Sequence, residues 1–312
     1  MHSRVPFPVT PDPGLAYGRL RAVPRGRVVP SQRGDDTPVI DAALGRTGPE
    51  GGPLASRLAV SVVVPSRNEE GNVAPLSDRL AAALAGVPHE IVFVDDSDDG
   101  TPEAVESLAR RGYDQVRLIH RRPGARPGGL GGAVALGMAQ AAGDVVVVLD
   151  ADLQHPPESV PSLIKPILDQ QTDLSIGSRY CPGGHPGGLD GPLRQLASSA
   201  ARRAVHAMLP ELRHVSDPCG GFFAIRRDLL LDAKLRPQGY KVLLEVLVKT
   251  NWQTTKDIPY RFQPRLTGSS KFDFAEVRRF ARHLRALRLF SNGRPGELPR
   301  ILLPGSKGDE VQ

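Results

Sequence analysis

The residues best able to do chemistry are carboxylates that close apolar runs. Asp150-Ala151-Asp152 follows VVVVL (145–149) directly, and Gln154 comes two residues later. Side chains on an extended strand repeat every two residues, so Asp150, Asp152 and Gln154 are expected on one side if the strand continues. Two carboxylates and an amide suit a hard cation that keeps some water and takes its other ligands from a diphosphate. Asp95-Asp96 closes a second run, HEIVFV (89–94). A carboxylate there can accept from the N–H edge of a nucleobase or from ribose, although Asp-Asp-Gly sequences favour turns in any case. Asn68-Glu69-Glu70 follows a third run, and acids in a first helical turn favour the helix dipole with or without a ligand. Glycines 128, 129, 131 and 132 could let backbone approach a phosphate. Position 134 is Val and a loop precedes them, so G-x-G-x-x-G is incomplete and a nicotinamide dehydrogenase is disfavoured.

These residues need elements to hold them, and the pattern supplies alternating strands and helices. LAVSVVVP (58–65) reads as a strand ended by Pro65, after which Ser66 and Glu69 stand at capping-box spacing for a helix. The run 89–94 is a second strand, and Thr101-Pro102 opens a helix that Gly112 ends. QVRLIH (115–120), DVVVVLDAD (144–152) and DLSIGS (173–178) give three more strands, with a small-residue helix over 130–143 and another from Pro156 or Pro157. Strands that are continuous apolar runs, alternating with helices, predict a mostly parallel sheet covered on both faces, a doubly wound α/β domain. Ligands in such sheets bind beyond the carboxyl ends of the strands, where the acids lie.

Composition limits the alternatives. With 40% hydrophobic residues, 312 residues can bury a large core. Cys181 and Cys219 are the two cysteines and no C-x-x-C occurs, which excludes a disulfide framework and a cysteine zinc site. Apolar runs such as 145–149 are far short of the ~20 residues a spanning helix needs. No apolar segment near the start suggests a signal peptide, so a cytoplasmic chain is expected. The formal charge of +6 sits in the ends: residues 1–57 hold 8 Arg against 5 acids, and 273–312 hold 7 Arg and 1 Lys against 5 acids, leaving 58–272 balanced. A non-catalytic nucleic-acid-binding protein with Arg-rich tails would fit the ends, but the neutral middle and the strand-end acids argue against it. Residues 1–57, with 9 Pro and 8 Gly and no hydrophobic period, are expected to be disordered.

VSVVVPSRNEEGNV, IVFVDDSDDGT, GDVVVVLDADLQHPPE, IGSRY, SDPCGGFFAIRR and PRLTGSSKF occur in this order over roughly 58–272. The ordered set resembles family 2 glycosyltransferases of the GT-A fold, in particular the polyprenyl-phosphate (dolichol-phosphate) mannose synthase branch. The resemblance implies a single GT-A catalytic domain. It implies Mg2+ or Mn2+ on Asp150 and Asp152, with Gln154, and a sugar-nucleotide site that includes Pro65, Asn68, Glu69, Asp95, Asp96, Gly129 and Ala151. It implies that Arg179, Arg194, Ser198, Asp217, Arg265 and Lys271 serve the donor and acceptor phosphates, with Asp152, Arg179 and Arg265 closest to the chemistry. For Asp217 a helix cap is an equal alternative. The expected reaction is inverting transfer of a hexose, mannose from GDP-mannose, to a polyprenyl monophosphate; a UDP-sugar donor such as UDP-glucose is the alternative. That acceptor is largely dianionic at neutral pH, since a phosphomonoester's second pKa is near ~6, so no general base is needed, and His155 beside Pro156-Pro157 reads as a loop residue. Gly220 where the family usually has Ser, and a missing tryptophan before Arg194, are departures on the acceptor side.

In FAEVRRFARHLRALRLF (274–290), Val277, Phe280, Leu284 and Leu287 form one helical stripe beside Arg278, Arg282 and Arg285. Such a helix either lies on an anionic membrane surface or packs on the catalytic domain with its arginines solvated. The family's spanning helices have no counterpart here, which implies a peripheral enzyme or one that recruits a separate polytopic membrane protein.

Overall fold

The computed structural model of the chain describes residues 58–188, 192–235, 241–264, 274–293 and 300–301. The expected N-terminal extension therefore lies outside the described residues, as do Arg265 and Lys271. The elements run β1 (Val60–Ser66), α1 (Glu70–Ala83), β2 (His89–Asp95), α2 (Thr101–Arg110), β3 (Val116–His120), α3 (Gly129–Gln140), β4 (Val145–Val148) and α4 (Val160–Leu168). They continue with β5 (Leu174–Ser178), α5 (Pro192–Met208), β6 (Phe223–Arg226), α6 (Val242–Lys249), β7 (Thr254–Pro259), α7 (Phe274–Asn292) and the two-residue β8 (Arg300–Ile301). One sheet joins them in the order β3-β2-β1-β4-β6-β5-β7-β8. All neighbours are parallel except at β6, which runs against both β4 and β5.

Alternation along the strands divides the core between the two faces. Val63, Val92, Val94, Val146 and Val148 pack with α3, α5, α6 and α7. Val62, Val64, Ile91, Phe93, Val145 and Val147 pack with α1, α2 and α4. Helix α3 lies close to β1 because Gly137 has no side chain: a Cβ there would stand 2.4 Å from Val63 Cγ1.

Two local expectations are corrected. Ser66 does not cap α1, which begins at Glu70 without a side-chain cap. Ser66 is instead the last residue of β1, in register with Asp95, and its hydroxyl donates to Asp95 Oδ1 at 2.8 Å. Nor does β4 extend to Asp152. Its ladders to β1 and β6 both end at Val148, and the chain then turns, with Leu153 at φ +61°. Asp150 and Asp152 therefore share a turn rather than a strand face. The apolar stripe of the C-terminal helix packs on the domain, with Leu284 and Leu287 buried in the core and Phe280 against it. Arg278, Arg282 and Arg285 stay exposed.

Candidate active site

The turn after β4 is held from beneath by an aromatic cluster. His155 stacks on Phe222 with ring centres 5.3 Å apart, and Tyr260 and Phe262 close its other sides. The Asp150 backbone N–H donates to His155 Nδ1 at 3.2 Å, so the proton of the neutral ring belongs on Nε2. Burial pushes the imidazole pKa down to about 4, against weaker opposing pull from Asp152. His155 is thus a loop residue, as expected, and it serves as a buried prop rather than a base. Gly221 leaves the space above it open, because a Cβ there would lie 3.3 Å from Asp150 Oδ2 and 3.4 Å from His155 Cε1. Asp152 Oδ1 accepts from the Gln154 N–H at 3.1 Å. The Gln154 amide nitrogen donates to the carbonyls of Gly188 and Gln263 at 3.2 and 3.1 Å, so its Oε1 is the atom left to face a cation.

Opposite this turn, the end of β5 presents Arg179. Its Nε and Nη2 donate to Asp217 at 2.7 and 3.0 Å, and the phenyl ring of Phe262 lies 5.3 Å from the guanidinium carbon. Burial opposes the charge, but the Asp217 bonds and charge outweigh it and hold the arginine above its ordinary pKa. Asp217 is completely buried and makes these bonds instead of capping a helix. Arg194 and Ser198, one helical turn apart on α5, face the same space, as does Lys241, whose ammonium donates to the Cys219 carbonyl at 2.9 Å. Burial lowers the Lys241 pKa.

Asp150, Asp152, Gln154, Arg179, Arg194, Ser198 and Lys241 line one cavity of about 900 Å³. Much of its remaining wall is apolar and comes from three helices: Leu130 and Val134 of α3, Ala197, Ala201, Ala204 and Met208 of α5, and Val277, Phe280 and Leu284 of α7. A polar end at the sheet edge thus opens into a long greasy flank.

The acids at the ends of β1 and β2 are arranged differently, and none of them lines this cavity. Asp95 is fully buried; its carboxylate accepts from Ser66, from the Ser97 N–H and hydroxyl, and meets His120 Nδ1 at 2.9 Å. Asp96 forms a buried two-bond pair with Arg121, at 2.7 and 2.5 Å. Arg121 also donates to the carbonyls of Pro127 and Gly129, fixing the glycine loop at the start of α3. Asn68, at φ +58°, accepts from the Asp98 N–H, and Glu69 accepts from the Asn72 amide. Pro65 and Ala151 are buried backbone positions.

Residues 61–232 match the sequence profile of Glycosyl transferase family 2. The chain belongs to that family. It is 38% identical over 247 residues to the dolichol-phosphate mannosyltransferase of Pyrococcus furiosus, covering 78% of this chain and 67% of the relative. The dolichol-phosphate mannosyltransferase of Saccharomyces cerevisiae is 36% identical over 248 residues, covering 75% of this chain and 88% of the relative. Among solved structures, glucosyl-3-phosphoglycerate synthase from Mycobacterium tuberculosis, in complex with Mn2+, UDP and glucosyl-3-phosphoglycerate, superposes with a TM-score of 0.56 at 25% identity, covering 78% of this chain and 82% of that one. The fold is the GT-A fold.

For a family 2 glycosyltransferase the donor set at the β4 turn fits a divalent cation. Among the described residues no group of three or more His, Cys, Asp or Glu side chains encloses a metal. Asp150, with 38% of its side chain exposed, and Asp152 line the same cavity and would offer two hard oxygens, leaving other coordination positions to water and substrate phosphate. Sequence reading passed over Arg121, Tyr180 and Lys241. Arg121 and Lys241 sit in loops whose spacing carries no signal; Tyr180 follows the arginine of GSRY directly and was readable there. No helix among the described residues is long and apolar enough to cross a membrane.

Proposed function

We propose that this enzyme transfers a hexose, mannose from GDP-mannose, to a polyprenyl monophosphate with inversion at the anomeric carbon. One observation supports this most strongly: a single cavity joins the carboxylates and cations of the sheet edge to an apolar wall from α3, α5 and α7. A lipid phosphate has that shape, a dianionic head on an isoprenoid chain. The names of the relatives at 36–38% identity support the same acceptor and sugar.

Asp150 and Asp152, with Gln154, would hold Mg2+ or Mn2+, which as a Lewis acid stabilises the departing nucleoside diphosphate. Arg179, fixed by Asp217, offers a preoriented cation to phosphate oxygens, and Arg194 and Ser198 take the acceptor phosphate from the α5 side. Arg265 and Lys271 join them on motif grounds. Two anionic substrates repel, and these cations offset that repulsion. The acceptor oxygen attacks without a base, in keeping with a His155 that stays neutral and buried. At the β1–β2 end, the turn built by Asn68, Glu69, Asp95 and Asp96 shapes the nucleoside site, with Pro65, Gly129 and Ala151 as close backbone neighbours.

The enzyme works peripherally on the cytoplasmic face of an anionic membrane. Leu196 and Val277, 62% and 47% exposed, flank the α5–α7 side, and Arg278, Arg282 and Arg285 are turned to solvent. A second reading takes a UDP-sugar as donor, and the solved relatives bound to UDP support it. Purified full-length protein, assayed with GDP-mannose and UDP-glucose, polyprenyl phosphate and Mn2+, should make mannosyl lipid only from GDP-mannose, and EDTA should stop it. Product from UDP-glucose alone supports the second reading, and full activity in EDTA sinks the metal assignment. Changing the three arginines to Glu should release the enzyme from anionic liposomes.

A further inference from the structure

Tyr180 stands between the two sides of the proposed acceptor site and touches both. Its hydroxyl is 2.8 Å from the Ser198 hydroxyl on α5. Its ring is flanked by two guanidinium groups: the Arg179 carbon lies 5.4 Å from the ring centre and the Arg202 carbon 4.8 Å. Arg194, Ser198 and Arg202 repeat every four residues, so they form one stripe of α5. The Nε of Arg202 is buried without a hydrogen-bond partner, and its guanidinium lies over the π face of Tyr180. A ring whose π system attracts both cations offsets part of their mutual repulsion. Tyr180 is itself seated by β5, because its backbone N–H donates to Ser178 Oγ at 3.1 Å. The tyrosine therefore transmits the position of the sheet edge to α5.

We propose that Tyr180 is the positioning residue of the acceptor site: it sets the Ser198 hydroxyl and the spacing between Arg179 and the α5 stripe, so that a phosphate monoester dianion meets both at once. This rests on the reading of Arg194 and Ser198 as the acceptor side. Tyr180 need not touch the phosphate; its effect on the acceptor passes through Ser198. That makes the two residues coupled, which a merely structural role would not produce.

The test uses full-length enzyme with Tyr180→Phe, Ser198→Ala and the double variant, followed by transfer kinetics and by calorimetric binding of farnesyl phosphate. Phe keeps the ring between the two arginines and removes only the hydroxyl. Tyr180→Phe should raise the acceptor KM and the farnesyl phosphate Kd about five- to tenfold, the effect of losing one oriented hydrogen bond near a charge. The donor KM and kcat should stay within about twofold, and the double variant should be no weaker than Ser198→Ala alone. Tyr180→Leu, which removes the ring as well, should bind farnesyl phosphate more weakly still, with its fold checked by thermal unfolding. An unchanged acceptor KM and Kd in Tyr180→Phe overturns the proposal, as does an equal further loss when the change is made in the Ser198→Ala background. Should Ser198→Ala itself leave binding unchanged, or wild type fail to bind farnesyl phosphate, the acceptor-side reading falls and takes this role with it. Binding without turnover instead refutes the reaction alone, and Tyr180 is then judged on the binding series.

Discussion

Asp95-Asp96 and Asp150-Ala151-Asp152 look alike in sequence, since each closes an apolar strand of the same sheet, yet their carboxylates meet different surroundings, and the second pair lines the cavity. Asp95 lies in register between Ser66 of β1 and His120 of β3, so both neighbouring strands bring a polar side chain to its level. Its carboxylate is closed over, and Asp96 is closed over in turn by Arg121. The ladders beside β4 stop at Val148, two residues short of Asp150. Beyond the ladder the chain turns, and Asp150 and Asp152 line the cavity. The reach of the adjacent strands thus decides whether a strand-end carboxylate is closed over by the sheet or turned toward the cavity.

The comparison breaks most visibly at the open pair. Asp152→Asn should lower kcat at least about a hundredfold, because one hard anionic ligand is lost where the diphosphate departs. Its unfolding midpoint should move by only a few degrees, since the amide oxygen can still accept from the Gln154 N–H. Transfer at a rate near wild type would place Asp152 among the structural carboxylates.

At the closed pair the outcome should reverse. Asp96→Asn leaves the Arg121 charge buried beside a neutral amide, and removing one partner of a buried ion pair costs about 3–5 kcal/mol. Urea unfolding should register that loss, and the loosened turn should raise the donor KM, while kcat at saturating donor stays within a few-fold of wild type. A large drop in kcat at unchanged stability would mean that Asp96 meets substrate.

The floor under the open pair should give a pH signature of intermediate size. The His155 pKa, about 4 when folded against 6.5 unfolded, means the unfolded chain binds the proton first as pH falls. Stability from this group is therefore fully present above pH 6.5 and declines as pH drops toward 4, by roughly 3 kcal/mol. His155→Phe should flatten that acid limb in denaturant titrations; an unaltered slope would show that other groups cause it.

The smallest effect is expected away from both pairs. Arg79 and Glu158 make two bonds of 2.7 Å, but both side chains are largely exposed. Glu158→Ala should cost below about 1 kcal/mol, within the range of solvent-screened pairs, and should leave transfer unchanged.

The first five strands were legible because each is an apolar run between breakers, and Thr101-Pro102 marked the start of α2 where it occurs. The cavity's main polar residues were legible too, since Asp150, Asp152, Arg179, Arg194 and Ser198 all carry motif spacing. What was not legible depends on partners distant in sequence. FAIR (223–226) gives no sign that it runs against its neighbours, and Asp217 gives none that it holds Arg179, 38 residues away. Ser66 matched a capping pattern that depends on local spacing, while its hydroxyl went to the carboxylate across the ladder. The stripe of α7 reads the same whether lipid or protein meets it; here Leu284 and Leu287 meet α6 and the sheet.

The reversed strand also bears on how the molecule is made. As the chain leaves the ribosome, β2, β3 and β4 each find an earlier strand to pair with, so half the sheet can form in order of synthesis. β5 has no such partner. One of its neighbours, β6, is completed only at residue 226, and the other, β7, at residue 259. Arg179 must wait through that interval with its strand unpaired, and Asp217 arrives 38 residues after it. A nascent chain halted between 178 and 226 would carry four paired strands beside an unpaired β5, with an exposed strand edge for a chaperone to shield.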